Sequence, residues 1–110
     1  MADTTRIRQI KIKTGVVKRI AKEKTMYEKE AVQIEEKIEK MKLDGKDEHD
    51  IRKQTEVLQE SKAMVPDTLK RLRNAVEDLG QVLVTEKDLQ ESEEYKLAQE
   101  ALNNAKTVMT

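Results

Sequence analysis

The stretch Ile51-Arg-Lys-Gln-Thr-Glu-Val-Leu58-Gln-Glu-Ser-Lys-Ala-Met-Val65-Pro66-Asp-Thr-Leu69-Lys-Arg-Leu72-Arg-Asn-Ala-Val76-Glu-Asp-Leu79-Gly-Gln-Val-Leu83 brings back an apolar side chain every three or four positions. That spacing lines one face of an α-helix, whereas a half-buried strand would alternate. The rhythm keeps its phase across Pro66. One long helix kinked at Pro66 accounts for that continuity; the alternative is a true break, with Pro66 opening a fresh helix and Asp67 in its first turn.

Working outward, the same rhythm fills the first part of the chain at Ile7, Ile10, Thr14, Val17, Ile20, Lys24, Tyr27, Ala31, Ile34, Ile38 and Met41. Lys24 is the weak member, and the step from Ile20 to Tyr27 resembles a stammer that tightens helix wrapping locally. Between the two runs lies Asp44-Gly45, a turn or helix-stop signal, and Asp47 or Asp50 can cap the next helix. So short a loop makes the two helices antiparallel neighbours.

Thr85-Glu86-Lys87-Asp88 reads as a third start, with Thr85 as cap and acids in the first turn. Leu89, Tyr95, Ala98, Ala101, Leu102, Ala105, Val108 and Met109 line the helix that follows. The expectation is an all-α, elongated antiparallel three-helix bundle with coiled-coil-like packing and a shorter third helix. Its helices cover about 4–43, about 48–84 with a kink near Pro66, and about 86–108 of a single domain spanning residues 1–110. At about 1.5 Å per residue the first two run roughly 50 to 60 Å and the third about 30 to 35 Å.

A third helix of that length covers only half of the other two. Ile12 and Val16 on the first helix, and Ala75 and Val82 on the second, are expected to widen the apolar stripe in the covered half. Beyond it, near Val65 and Pro66, a thinner two-helix extension should begin, in which Thr55 and Lys62 occupy stripe positions. Each residue there buries less apolar surface, so the extension should be the less stable part.

Composition agrees with helices. The chain carries 22 basic and 22 acidic side chains, no cysteine, no Phe and no Trp. Cysteine's absence removes disulfides and thiolate metal sites. The start, Met1-Ala2-Asp3-Thr4-Thr5-Arg6, lacks the apolar run of a secretory signal, and no stretch is apolar enough to span a bilayer, so a cytoplasmic protein is expected.

No enzyme site assembles from these residues. His49, the single histidine, falls in the loop, where a solvated role outweighs a ligand or general base. The paired acids Glu35-Glu36, Glu77-Asp78 and Glu93-Glu94 point in different directions from a helix. Gly15, Gly45 and Gly80 stand alone, so no phosphate-cradling loop exists. Asp44, Asp47, Glu48 and Asp50 lack the ligand spacing of a calcium loop. No enzyme and no cofactor is the reading.

Charge is uneven along the chain. Arg8, Lys11, Lys18, Lys22 and Lys29 share one side of the first helix with Gly15 between them. Nucleic acid is not the expected partner, because stacking aromatics and a net basic charge are missing. Nor is a membrane, because Ile7, Ile10, Val17 and Ile20 are committed to the core. Two readings stay open: the cations balance Glu86, Asp88, Glu91 and Glu94 at the start of the third helix, or they attract an acidic protein partner. Val32, Val57, Met64, Val84 and Leu97 fall at stripe edges, mostly as bundle margin. Val57 and Met64, seven apart on the thin half, form a strip that a partner can use. Arg8, Lys11, Lys18, Lys22, Val57 and Met64 are therefore the candidate partner-contacting residues.

Particular residues go further than pattern. Arg8-Gln-Ile-Lys-Ile-Lys-Thr-Gly-Val-Val-Lys-Arg19, Lys22-Glu23, Tyr27-Glu-Lys-Glu30 and Glu35-Glu-Lys-Ile-Glu-Lys-Met41, continued by Leu58-Gln-Glu-Ser61, Val65-Pro66-Asp67, Arg71-Leu72, Glu86-Lys-Asp-Leu89 and Glu94-Tyr95-Lys96, resemble the tubulin-binding cofactor A family across essentially the whole chain. Departures fall in the loop Lys46-Asp47-Glu48-His49 and the ending Lys106 to Thr110. The resemblance implies a cytoplasmic, cytoskeleton-associated three-helix bundle that binds β-tubulin released from the cytosolic chaperonin. It would hold that subunit, without nucleotide hydrolysis, for other tubulin-folding cofactors to assemble into the αβ heterodimer. A monomer is expected rather than a dimer. The alternative function is a structural coiled-coil adaptor that self-associates through the thin half.

Overall fold

The computed structural model describes residues 3–110. Helix α1 spans Asp3–Leu43, α2 spans Glu48–Thr85, a short 3-10 turn spans Lys87–Leu89, and α3 spans Glu93–Met109. The molecule is a rod of 65 × 20 × 18 Å. Its length is about that of α1, whose 41 residues rise roughly 62 Å.

Cross-helix pairs establish the topology. Lys13 meets Asp78, Glu23 meets Arg71 and Glu35 meets Lys62, so numbers rise along α1 as they fall along α2. Those two helices are antiparallel. Arg6 reaches Asp88 and Lys24 reaches Val108, so α3 runs parallel to α1. The order is up, down, up.

The turn at the far tip follows from one glycine. Gly45 has φ +69°, the left-handed conformation that costs other residues energy. With Gly45 there, Lys46 N–H donates to the Met41 carbonyl at 3.0 Å and Gly45 N–H to the Lys42 carbonyl at 3.2 Å, which closes α1. Asp47 then caps α2, its carboxylate accepting from the His49 N–H at 3.3 Å. Across Pro66 α2 is one uninterrupted helix.

The core matches the helical face read from the spacing, with informative differences. Ile10, Val17, Lys24, Ala31 and Ile38 are all buried and lie seven apart, a heptad seam along α1. Because Lys24 sits inside that seam, no stammer interrupts it. Ser61 and Thr68 are buried on α2 at the same spacing, where larger apolar neighbours Leu58 and Val65 are only half-buried. Their hydroxyls donate to carbonyls, Ser61 to Tyr27 at 3.4 Å and Thr68 to Met64 at 2.5 Å, which removes the penalty of burying them bare.

Val16, Ala75 and Val82 pack against the core as expected, but Ile12 does not; it is 58% exposed. Two residues beyond the buried Ile10, it lies about 200° around the helix, on the outward face. The main cluster joins Ile10, Val17, Leu72, Leu79 and Tyr95 to Ala98, Ala101 and Ala105. It belongs wholly to the three-helix half.

The third helix starts later than Thr85 suggests. Glu86 N–H still donates to the Val82 carbonyl at 2.8 Å, so Thr85 completes α2 rather than capping α3. Ser92 is the cap: its hydroxyl oxygen accepts from the Tyr95 N–H at 3.2 Å. The seventeen residues of α3 rise about 26 Å, shorter than anticipated. Its last turn meets Lys24, beside the Glu23–Arg71 pair, which places the change from three helices to two within about two turns of Pro66.

Candidate helical interaction surfaces

Two depressions contain the residues singled out for partner contact, and they are separate. The first is an open groove of about 430 Å³ between α1 and α3, lined by Lys11, Thr14, Gly15, Lys18, Glu93, Glu94 and Leu97. Lys11 and Lys18 stand on the α1 wall two turns apart, and Gly15 leaves a gap between them. Opposite, Leu97 is 50% exposed. Glu93 and Glu94 occupy the first turn of α3, where carboxylates suit the positive end of the helix.

The second is a depression of about 280 Å³ on the thin half, lined by Tyr27, Glu30, Val57, Glu60, Ser61 and Met64. Val57 is 41% exposed, and Met64, two turns further along α2, is half-buried. Nine residues of α1 separate Lys18 from Tyr27, roughly 14 Å along the axis. Basic wall and apolar strip thus form two surfaces, and a partner touching both must lie along the rod.

Arg8, Lys11, Lys18 and Lys22 are exposed, and none of the four forms an ion pair among the described residues. Of the acids that could balance these cations, Glu86 and Asp88 are taken by another residue, while Glu94 lines the same groove as Lys11 and Lys18 without an ion pair to either. That residue is Arg6: its guanidinium donates to Glu86 at 2.5 Å and to Asp88, and it also meets Asp3 at 3.1 Å. The hydrogen bond from Arg6 holds the Asp88 carboxyl below the usual carboxylate range, and the carboxylates raise the Arg6 pKa in turn. This cluster fastens the α2–α3 connection to the start of α1. It leaves the other cations free.

Spacing alone places Lys24 on the stripe only as its weak member. It is 6% exposed, and its ammonium donates to the Val108 carbonyl at 3.0 Å and to Glu28 at 2.9 Å. A cation at the carbonyl end of α3 satisfies acceptors that the helix leaves open. Its position within the heptad seam was the available signal. A charged residue at such a position marks either an interruption or a buried contact, and periodicity alone does not separate them.

Among the described residues no cluster of His, Asp or Glu is placed to hold a metal, and no helix is long and apolar enough to cross a membrane. What the rod presents is a continuous helical surface with unpaired cations and shallow apolar strips. By fold it is an elongated three-helix bundle whose helix faces carry its exposed cations and apolar strips.

Comparison with known proteins makes this specific. The family model for Tubulin binding cofactor A matches residues 5–102, and the chain belongs to that family. Tubulin-specific chaperone A of Gallus gallus is 61% identical over 106 residues, covering 96% of this chain and 97% of the relative. The structure of human tubulin chaperone cofactor A superimposes with a TM-score of 0.78 at 57% identity, over 92% of this chain and 98% of the other. The crystal structure of tubulin folding cofactor A from Arabidopsis thaliana gives 0.84 at 37% identity, over 94% and 98%. The family is one of binding cofactors, and the chain is not an enzyme.

Proposed function

We propose that this protein is a tubulin-folding chaperone that binds β-tubulin released from the cytosolic chaperonin and holds it for other tubulin-folding cofactors to build the αβ heterodimer. It does so in the cytoplasm, beside the cytoskeleton, as a monomer. The observation that carries this reading is the family match along nearly the entire chain, with relatives named as tubulin-specific chaperones. The unpaired Arg8, Lys11, Lys18 and Lys22 support it, because a holding chaperone needs contact groups that its own fold has not consumed.

The mechanism is reversible masking. The α1 face provides charge attraction and orientation, while Val57 and Met64 add apolar contact farther along the rod. Exposed charges set rate and salt sensitivity more than depth of binding, which suits a complex that must release its client. Capture of β-tubulin by the immobilised protein at rising salt tests this. Capture that weakens as salt rises is expected, and no capture at low salt would overturn the proposal. Sedimentation at several concentrations separates it from a self-associating adaptor, for which the mass would grow with concentration.

A further inference from the structure

Gly15 lies in the interior of a forty-one-residue helix, where glycine is a poor choice unless something requires it. The fold supplies no requirement. Gly15 has an ordinary helical backbone, and a Cβ built on it meets nothing within 4 Å. Gly80 is also free of internal crowding, but of the two only Gly15 lines this groove, between two unpaired lysines. The missing side chain keeps that groove open to something outside the molecule.

We propose that the α1–α3 groove is the seat of one acidic α-helix of the bound client, whose backbone passes over Gly15. Its carboxylates, about two turns apart, pair with Lys11 and Lys18. This rests on the reading that the basic face of α1 contacts the client. Three features choose the occupant. Lys11 and Lys18 are separated by about 10 Å along α1, the distance between residues seven apart on an adjacent helix. Arg8 and Lys22 continue the same wall at its two ends, so a helix lying along it meets cations throughout. Glu93 and Glu94 line the opposite wall in the first turn of α3 and repel an acidic helix toward the α1 side, and Leu97, one turn further along α3, offers an apolar contact for its inner edge. Glycine lets the two backbones approach more closely than any side chain would allow.

The test compares β-tubulin binding by single variants whose folding is checked by circular dichroism and thermal midpoint. Gly15→Ala should weaken binding a few-fold and Gly15→Phe about tenfold or more, each with the fold retained. Leu97→Asp and Leu97→Lys serve where Gly15→Phe disturbs folding. An acidic occupant requires that the aspartate variant lose about tenfold and that the lysine variant keep or gain affinity. Equal losses from both Leu97 variants would overturn the acidic helix. Wild-type affinity in folded Gly15→Phe would overturn the groove, and if Lys11→Glu/Lys18→Glu still lost binding the basic-face reading would stand without it. If that charge-reversed protein bound normally, both would fall. Self-association that Gly15→Phe abolished would assign the groove to a second copy of this chain and also overturn the proposal.

Discussion

At the scale of single residues, position often mattered more than polarity. Ile10, Val17, Leu72 and Leu79 were legible because a helix face that repeats aliphatic side chains has one common use, which is burial. Ser61 and Thr68 were not, and Lys24 was placed on the stripe only as its weak member, because each is buried for a partner that spacing cannot reveal: a carbonyl on another helix or on its own. Ile12 failed in the opposite direction, an apolar residue on an outward face. Gly15 gives the clearest prediction at this scale. With empty space around its Cβ position, Gly15→Ala is expected to raise stability by about 0.5–1 kcal/mol in urea unfolding, by reducing the freedom of the unfolded chain. Tyr95 gives the converse. Its hydroxyl donates to the Leu83 carbonyl at 2.9 Å in a buried site, so Tyr95→Phe should lower stability by about 1 kcal/mol. Faster amide exchange in α3 would accompany the loss.

At the scale of elements, both long helices were readable almost to the residue, because Asp44-Gly45 carries clear stop chemistry and either Asp47 or Asp50 could start the next helix; the structure uses Asp47 as the cap and puts Asp50 in the first turn. The start of α3 was not, since Thr85 and Ser92 both suit a cap and only the tertiary context chooses between them. Arg6 ties down Glu86 and Asp88, and Tyr95 bonds back to Leu83; together these delay α3 to Glu93. Pro66 poses a further question about α2. It is exposed inside a continuous helix, lacks the N–H that the Lys62 carbonyl would accept from, and has no turn to make. Pro66→Ala should therefore stabilise the protein by roughly 1–3 kcal/mol, seen as a higher urea midpoint at an unchanged slope. An unchanged or lower midpoint would mean that the proline's geometry is itself needed where the rod thins.

At the scale of the whole molecule, the rod divides its labour. The half with three helices contains the main aliphatic cluster, and the extension rests on one seam with Ala31, Ile38 and Ser61 as its buried members. The Arg6 cluster closes the base of the thicker half and has a defined pH signature. Because the folded Asp88 carboxyl titrates below its unfolded value, its contribution is complete above about pH 4 and is lost as pH falls through the lower folded value. Wild-type protein should thus exceed Asp88→Asn in stability at neutral pH, and the difference should close on acidification. Reading the candidate site from sequence had a corresponding limit. The free cations were visible as a stripe, but that Arg6 and not they would satisfy Glu86 and Asp88 depended on how the α2–α3 connection folds back. The central claim is that the chain holds β-tubulin against the basic face of α1, and hydrogen exchange with and without bound β-tubulin tests it most directly. The account predicts slowed exchange in α1 from Arg8 to Lys22, with a matching effect at the start of α3; a stable complex that protected only the thin half, or neither, would contradict it.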